Sequence, residues 1–395
     1  MKKYLVLTIV SVWSVLLFPL LLFFTLIARY KNKNIDVGLG PHPLINNLYH
    51  KKSLEKYGFT AETFVIQTYY ITSDFDKNYS IRTSSSILRN ILRATIPLYI
   101  FTWSILRFRV LYIYFNGGGL GLLPGWLWKI EPLLYSLARV KTLVMPYGSD
   151  VQVMTRSQNL LFKNAMSVDY PEYSKSKNKI AKQVDIWTQW GDHIVSGVEW
   201  VDYMYHWDTL MLAHFSIDTE NIKAEYKSET NSKTFRIFHA PNHKEIKGTK
   251  HLISAVNALI AEGMNIELDL VQKVSNDEVL KRIRNADLVA DQFIVGWYAM
   301  FALEAMSSGK PVLCYLRKDL VSFYEDVGLV EKGEIPLVSC SCSEIKDSIA
   351  DLYNNREQLN EIGRRSREYV VKHHSLDSIG KKFLEINNKL GVEPT

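Results

Sequence analysis

Two segments in the second half of the chain combine a cation, a carboxylate and turn-forming residues. They are HAPNHKEIKGTKHL at 239–252 and DQFIVGWYAMFALEAMSSGKPVLCYL at 291–316. In the first, Lys247 stands directly before Gly248, with His243 and Lys244 in the same loop. A lysine ammonium is a point cation suited to phosphate oxygens, and the glycine lets the backbone turn into a helix from Thr249. In the second, Glu304 falls one turn into a helix that begins after Gly296-Trp297-Tyr298. A carboxylate there can accept hydrogen bonds from two vicinal hydroxyls, as on a ribose, beside a helix N-terminus that favours a diphosphate. Alone, Glu304 reads as a surface residue complementing the helix dipole. Its context places it: the helix ends at Gly309 and Pro311 opens a buried strand, so Glu304 stands at the carboxyl edge of a sheet. The chemistry is that of holding a nucleoside diphosphate.

The elements that position these residues follow from hydrophobic patterning. The stretch AEYKSETNSKT at 224–234 is polar and without apolar period, which marks a linker. Beyond it, strands at 235–239, 266–271, 287–290 and 311–315 alternate with helices at 249–263, 276–283, 299–308 and 342–353. Such alternation predicts a parallel sheet covered on both faces. Helices at 355–372 and 375–390 close the chain. Ahead of the linker, Ile35–Leu39 reads as a strand broken by Gly38, Gly40, Pro41 and Pro43, and a helix follows from Asn46 to Tyr57. Further strands are expected at Thr63–Thr68, Val110–Phe115 and Thr142–Pro146, the last ending in Gly148-Ser149-Asp150. Asp185–Trp190 and His193–Ser196 read as short strand and loop elements. Residues 87–107 form a helix that is either buried or lies on a membrane face. The aromatic stretch 122–135, with Trp126 and Trp128, is buried packing or a lipid-facing surface. Two doubly wound domains leave a cleft between the carboxyl ends of their sheets, where ligands bind in such folds.

At 395 residues the chain exceeds a single core. A net charge of +6 without a dense Lys/Arg tract argues against nucleic acid and suits a membrane surface or an anionic substrate. Cys314, Cys340 and Cys342 fit neither a disulfide framework nor a zinc knuckle, and read as reduced thiols. Residues 4–28 carry no charge and are flanked by Lys2, Lys3, Arg29, Lys31 and Lys33. As a helix they extend ~37 Å, enough to cross a bilayer, so an uncleaved membrane anchor is expected.

The two segments resemble the donor-binding half of a GT-B glycosyltransferase, most closely the retaining glycosyltransferase family 4 of group 1 type. Lys247-Gly248 matches the family's lysine-glycine pair, and Glu304 through Val312 matches its Glu-Ala-Met-x-x-Gly-x-Pro-Val motif. The resemblance implies a nucleotide-sugar donor, with the lysine on the diphosphate and the glutamate on the ribose. It implies that Gly38 and Gly40 lie in a loop facing the cleft, and that Gly148-Ser149-Asp150 matches a Gly-x-Asp at a strand end. The chain departs from the family where a second glutamate is usual, eight residues before the first: Gly296 stands there. Ala299 replaces a glycine and Asn242 replaces an arginine. Asp291 is either a substitute for the missing acid or an ordinary strand-end aspartate.

The expectation is therefore an α/β protein of GT-B architecture, with two doubly wound Rossmann-like domains facing a cleft, preceded by one N-terminal transmembrane helix. Its parts are an anchor (1–28), an acceptor-side domain (29–223), a linker (224–234), a nucleotide-sugar-binding domain (235–374) and a C-terminal helix (375–395). Lys247 and Asp150 are the expected catalytic residues. Gly38, Gly40, His243, Lys244, Lys247, Gly248, Gly296, Trp297, Tyr298 and Glu304 are the expected donor contacts. No Asp-x-Asp metal motif occurs near a strand end, so no metal is expected, and no resident cofactor. The donor would be a UDP- or GDP-linked sugar and the acceptor lipid-linked or a polysaccharide. Such an enzyme would sit at the inner (cytoplasmic) membrane as a single-pass protein with its domains on the cytoplasmic face. A nucleotide-sugar epimerase and a non-catalytic GT-B binding subunit are the alternatives, the latter motivated by Gly296 and Ala299.

Overall fold

The computed structural model describes residues 2–226 and 234–395, with residues 2–14 and Lys177 as backbone only. Most of the expected linker, 227–233, lies outside the described residues. Two parallel sheets dominate. The first contains β1 (Ile35–Leu39), β2 (Ala61–Val65), β3 (Lys77–Asn78), β4 (Phe108–Tyr114), β5 (Lys141–Met145), β6 (His193–Gly197) and β7 (Thr209–Met211), in the order β3-β2-β1-β4-β5-β6-β7. The second contains β8 (Phe235–His239), β9 (Ile266–Leu270), β10 (Leu288–Ala290), β11 (Val312–Cys314) and β12 (Val338–Ser339), in the order β12-β11-β10-β8-β9. Every strand pair in both sheets is parallel. The central strands are continuous apolar runs such as VLYIY and LVA because helices cover both faces.

Each sheet reverses its winding once. The first does so between β1 and β4, the second between β8 and β10. Adjacent crossovers leave in opposite directions at such a point, which opens a crevice beyond the strand ends. The loop after β8 carries His243 to Gly248, and Asp291 directly follows β10. Topology thus brings the two chemistry-bearing segments to one crevice.

Two expectations are corrected. Residues 185–190 are the last turns of the helix Lys177–Trp190, not a strand. The β-prone run IWTQW misleads locally, but Gln183, Val184, Trp187 and Thr188 are buried at helical spacing. The second concerns the N-terminus. Among the described residues no helix is long and apolar enough to cross a membrane. This overturns the expected transmembrane helix and, with it, the single-pass placement at the inner membrane. The second half of the helix Lys2–Tyr30 lies against the first domain instead. Leu21, Thr25 and Ala28 are buried at i, i+4, i+7 spacing, and the Phe18 ring packs 5.6 Å from that of Trp126. Arg29 donates to the Leu137 carbonyl at 3.4 Å, and Lys33 donates to those of Ala28 and Ala138, both at 3.1 Å. In the aromatic stretch beneath, Leu127 and Trp128 are buried, so packing is its role.

The last helix, Leu376–Lys389, crosses back to the first domain. Its Ile379, Phe383 and Ile386 join one apolar cluster with Leu54 of the helix Asn46–Glu55 and with Val37, Leu39, Tyr112 and Leu143 of the first sheet.

Candidate functional site

Lys247 ends the short helix Lys244–Lys247, and Gly248 follows at φ 75°, turning the chain into the helix Thr249–Ala261. The Lys247 carbonyl accepts the Phe293 N–H at 3.1 Å. Its Nζ lies 2.6 Å from Oδ1 of Asp291, which is fully buried, while the Lys247 side chain is 16% exposed. The other Asp291 oxygen accepts the backbone N–H of Ala299 at 3.2 Å, and Ala299 caps the helix Met300–Ser307 that carries Glu304. His239 is a packing residue of this edge. Its Nδ1 faces the Ala290 carbonyl at 2.7 Å and so donates, leaving Nε2 to accept from the Thr249 hydroxyl at 2.8 Å. Burial holds its imidazole down at about 4.

Glu304 is buried, and its Oε1 accepts the Asn276 amide at 2.6 Å. Burial pushes its carboxyl up to about 7, with the charge of Asp291 adding and the Asn276 donor opposing. Tyr49 approaches from the first domain: burial raises its phenol, and the Glu304 charge raises it further. Tyr49 and Asn276 both line a cavity of 710 Å³ between the domains, with Tyr70, Asp218, Asp277 and Arg284 also in its wall. Lys247, Asp291 and Glu304 are not part of that lining. Asn276, which lines the cavity and donates to Glu304, is the link between the two.

The first domain grips the segment between Asp291 and Glu304. Asn159 caps the helix Leu160–Asp169 through its Oδ1, and its amide donates across the cleft to the carbonyls of Ile294 and Val295 at 2.7 and 3.0 Å. Arg317 makes a two-pronged ion pair with Asp202 of the first domain, at 2.6 and 3.2 Å, and also bonds Asp319. Tyr170 bonds His243 and Glu245, and Tyr70 bonds Asn242. The Arg317 stem explains Gly296. Position 296 has φ 98°, and a Cβ there would fall 2.6 Å from Arg317 Cγ. An acid at 296 would have to adopt this strained φ and displace the Arg317 side chain.

Of the expected donor residues, Lys247 and Gly248 lie in the segment after β8, and Gly296 and Glu304 in the segment after β10, the two strands that flank the switch point. His243 and Lys244 are exposed at the mouth of the crevice. Trp297 and Tyr298 do not line it: both are buried, stacked at 5.2 Å, and Tyr298 bonds Tyr369 and His374 at 2.9 Å. Gly38 lies inside β1, where a Cβ would stand 2.5 Å from the Phe108 ring, and a Cβ at Gly40 would collide with the Phe64 carbonyl. Both glycines are accounted for by packing. Asp150 is a turn cap. Its Oδ1 accepts the N–H groups of Tyr147 and Gly148, and its Oδ2 accepts that of Phe115, at 2.9 to 3.0 Å. Burial pushes its carboxyl up to about 7.

Sequence reasoning missed Asn159, Asp202, Asn276 and Arg317. Asn159 before an apolar run was a legible helix-capping signal. The pairing of Asp202 with Arg317, far apart in the chain, leaves no local trace.

No family model matches the sequence, and no curated protein does. Solved structures do match in shape. HepE from Anabaena, in complex with UDP-glucose, superposes with a TM-score of 0.55 at 11% identity, over 90% of this chain and 100% of that one. Sucrose-phosphate synthase from Thermosynechococcus elongatus gives 0.59 at 11% identity, over 91% and 99%. The chain has the GT-B fold. MnaA from S. aureus, solved with UDP, is a further GT-B match at 0.50 and 12% identity, over 92% and 98%. At these identities the likeness establishes the GT-B fold alone, with its two parallel-sheet domains across a cleft.

Proposed function

We propose that the protein is a glycosyltransferase that takes a sugar from a UDP- or GDP-linked donor and passes it, with retention, to a lipid-linked or polysaccharide acceptor. The observation that supports this reading is the link through Asp291 beside the switch point of the second sheet: Asp291 pairs with Lys247 and accepts the N–H that caps the helix bearing Glu304. Structural neighbours crystallised with UDP and UDP-glucose support it. In this reading Lys247 neutralises the charge that builds on the departing diphosphate, a term worth most in a site shielded from water. Glu304, ionised, accepts from the ribose hydroxyls, which displace the Asn276 amide or share the carboxylate with it. The reading needs no resident cofactor and assigns phosphate neutralisation to lysine rather than to a metal. A lipid-linked acceptor is supported by exposed apolar side chains on the first domain, among them Leu16, Leu20 and Phe23 of the N-terminal helix and Ile87 and Ile91 of the helix Ser86–Arg107.

The glycine at 296, in a crowded backbone position that disfavours an acid, favours one second reading, a GT-B subunit that binds nucleotide without transferring sugar. Calorimetric titration of UDP and GDP, followed by assay of nucleotide release from UDP- and GDP-sugars with a lipid extract as acceptor, tests both. Binding with acceptor-dependent release supports transfer. Binding without release supports the second reading, and absence of binding to either nucleotide overturns both.

A further inference from the structure

We infer that Asp291 is a positioning residue that aims Lys247 at a diphosphate, so that the two side chains act as one unit in ligand binding. The inference rests on the nucleotide-sugar reading above and deepens it. A lysine ammonium rides on a flexible four-carbon stem, and ordering it for a ligand carries an entropic cost. Here that cost is met in the folded protein. The Nζ is pinned 2.6 Å from a fully buried carboxylate, and the Lys247 carbonyl is tied to the Phe293 amide just beyond Asp291. Asp291 also accepts the N–H of Ala299, so one side chain sets both the cation and the start of the helix bearing Glu304.

An ammonium has three N–H donors, and one directed at Asp291 leaves two for phosphate oxygens. Asp291 itself reaches no ligand: it is wholly buried and both its oxygens are taken. It is therefore not a sugar-contacting replacement for the acid absent at 296, and it acts only through Lys247 and the helix start.

The test compares UMP with UDP, and GMP with GDP, by calorimetry on the full chain. The quantity read is the affinity added by the second phosphate. The variants are Asp291→Asn, Lys247→Met and the double variant, which leaves no lone buried charge and so guards against loss of fold. In the wild type the diphosphate binds about tenfold or more tightly than the monophosphate, as expected for a bond to a charged donor. Asp291→Asn is expected to bring that ratio to about twofold or less while monophosphate affinity stays within about threefold. The double variant should match Lys247→Met. A wild-type ratio retained in Asp291→Asn overturns the inference, as does equal loss of both nucleotides or tighter diphosphate binding. A wild type that binds neither UDP nor GDP overturns the functional reading together with the inference, whereas the other outcomes overturn the inference alone.

Discussion

At the edge of the first sheet, Asp150 takes three backbone N–H groups and Glu131 takes the Leu120 N–H and the Tyr135 hydroxyl beneath the glycine loop 117–121. At the edge of the second sheet, Glu304 has one donor, Asn276, and Lys247 has one carboxylate. Both edges follow the same plan of strand, glycine turn and helix. The first fills its turns with its own carboxylates and becomes a rigid wall. The second gives its charged side chains fewer partners, one for Glu304 and one for Lys247. A glycine-rich loop at a strand end is thus no sign of a ligand until the occupants of its amides are known.

The comparison breaks most sharply at Asp150. Asp150→Ala strips three backbone N–H groups, two of them buried, of their acceptor and should lower stability by about 3 kcal/mol in urea unfolding, with UDP or GDP affinity unchanged in the folded fraction. A stable variant that has lost transfer would make Asp150 catalytic and erase the contrast. Gly296→Glu should cost about 2 kcal/mol by overpacking against Arg317. If it instead folds as well as wild type and gains activity, the cleft has room that the Arg317 stem denies it. Glu304→Ala should weaken nucleotide binding by about 1.5 kcal/mol, read by calorimetry. Unchanged affinity would move the ribose elsewhere.

A smaller effect concerns pH. Burial raises the Glu304 carboxyl to about 7, above its unfolded value. Between the unfolded value of about 4.3 and about 7, the native state keeps a proton that the unfolded chain has released, so this group's contribution to stability falls as pH rises through that window. His214, His239 and His374, buried with lowered values of about 3 to 4, act in the opposite sense below their ordinary range. The difference between Glu304→Gln and wild type isolates the carboxyl. The variant's advantage in thermal unfolding should grow from pH 5 to pH 7 and then level off, and an advantage that shrinks over that range contradicts the assignment. Least of all, a chelator should leave sugar transfer unchanged if Lys247 serves the diphosphate. Loss of activity restored by a divalent ion would shift that role to a metal.

The alternation of apolar runs with helical periods made both sheets legible, since strands buried on two faces leave little room for polar residues. Glu-Ala-Met-Ser-Ser-Gly-Lys-Pro-Val located Glu304 because a helix stop and a strand start bracket it within a few residues. What depended on distant partners was hidden. Nothing near Lys247 announces Asp291, and nothing near Gly296 announces that Arg317, drawn over by Asp202, fills its side-chain space. The apolar run 4–28 reads as bilayer-spanning because hydrophobicity does not say what will cover it. Leu21, Thr25 and Ala28 are covered by protein. Trp297 and Tyr298 were placed on the ligand side by adjacency in sequence, yet the turn at Gly296 sends both rings into the core.

The return of the helix Leu376–Lys389 to the first domain bears on how the chain is made. Residues of β1 and β4 emerge early from a ribosome, but Ile379, Phe383 and Ile386, which cover the Val37, Leu39 and Tyr112 face, emerge only after the whole second domain. Until then that face has only its first-domain cover, such as Leu54 and Phe59, and the nascent first domain is a client for any factor that shields apolar surface during synthesis. Chains stalled before Leu376 should bind a hydrophobic dye that the complete fold excludes.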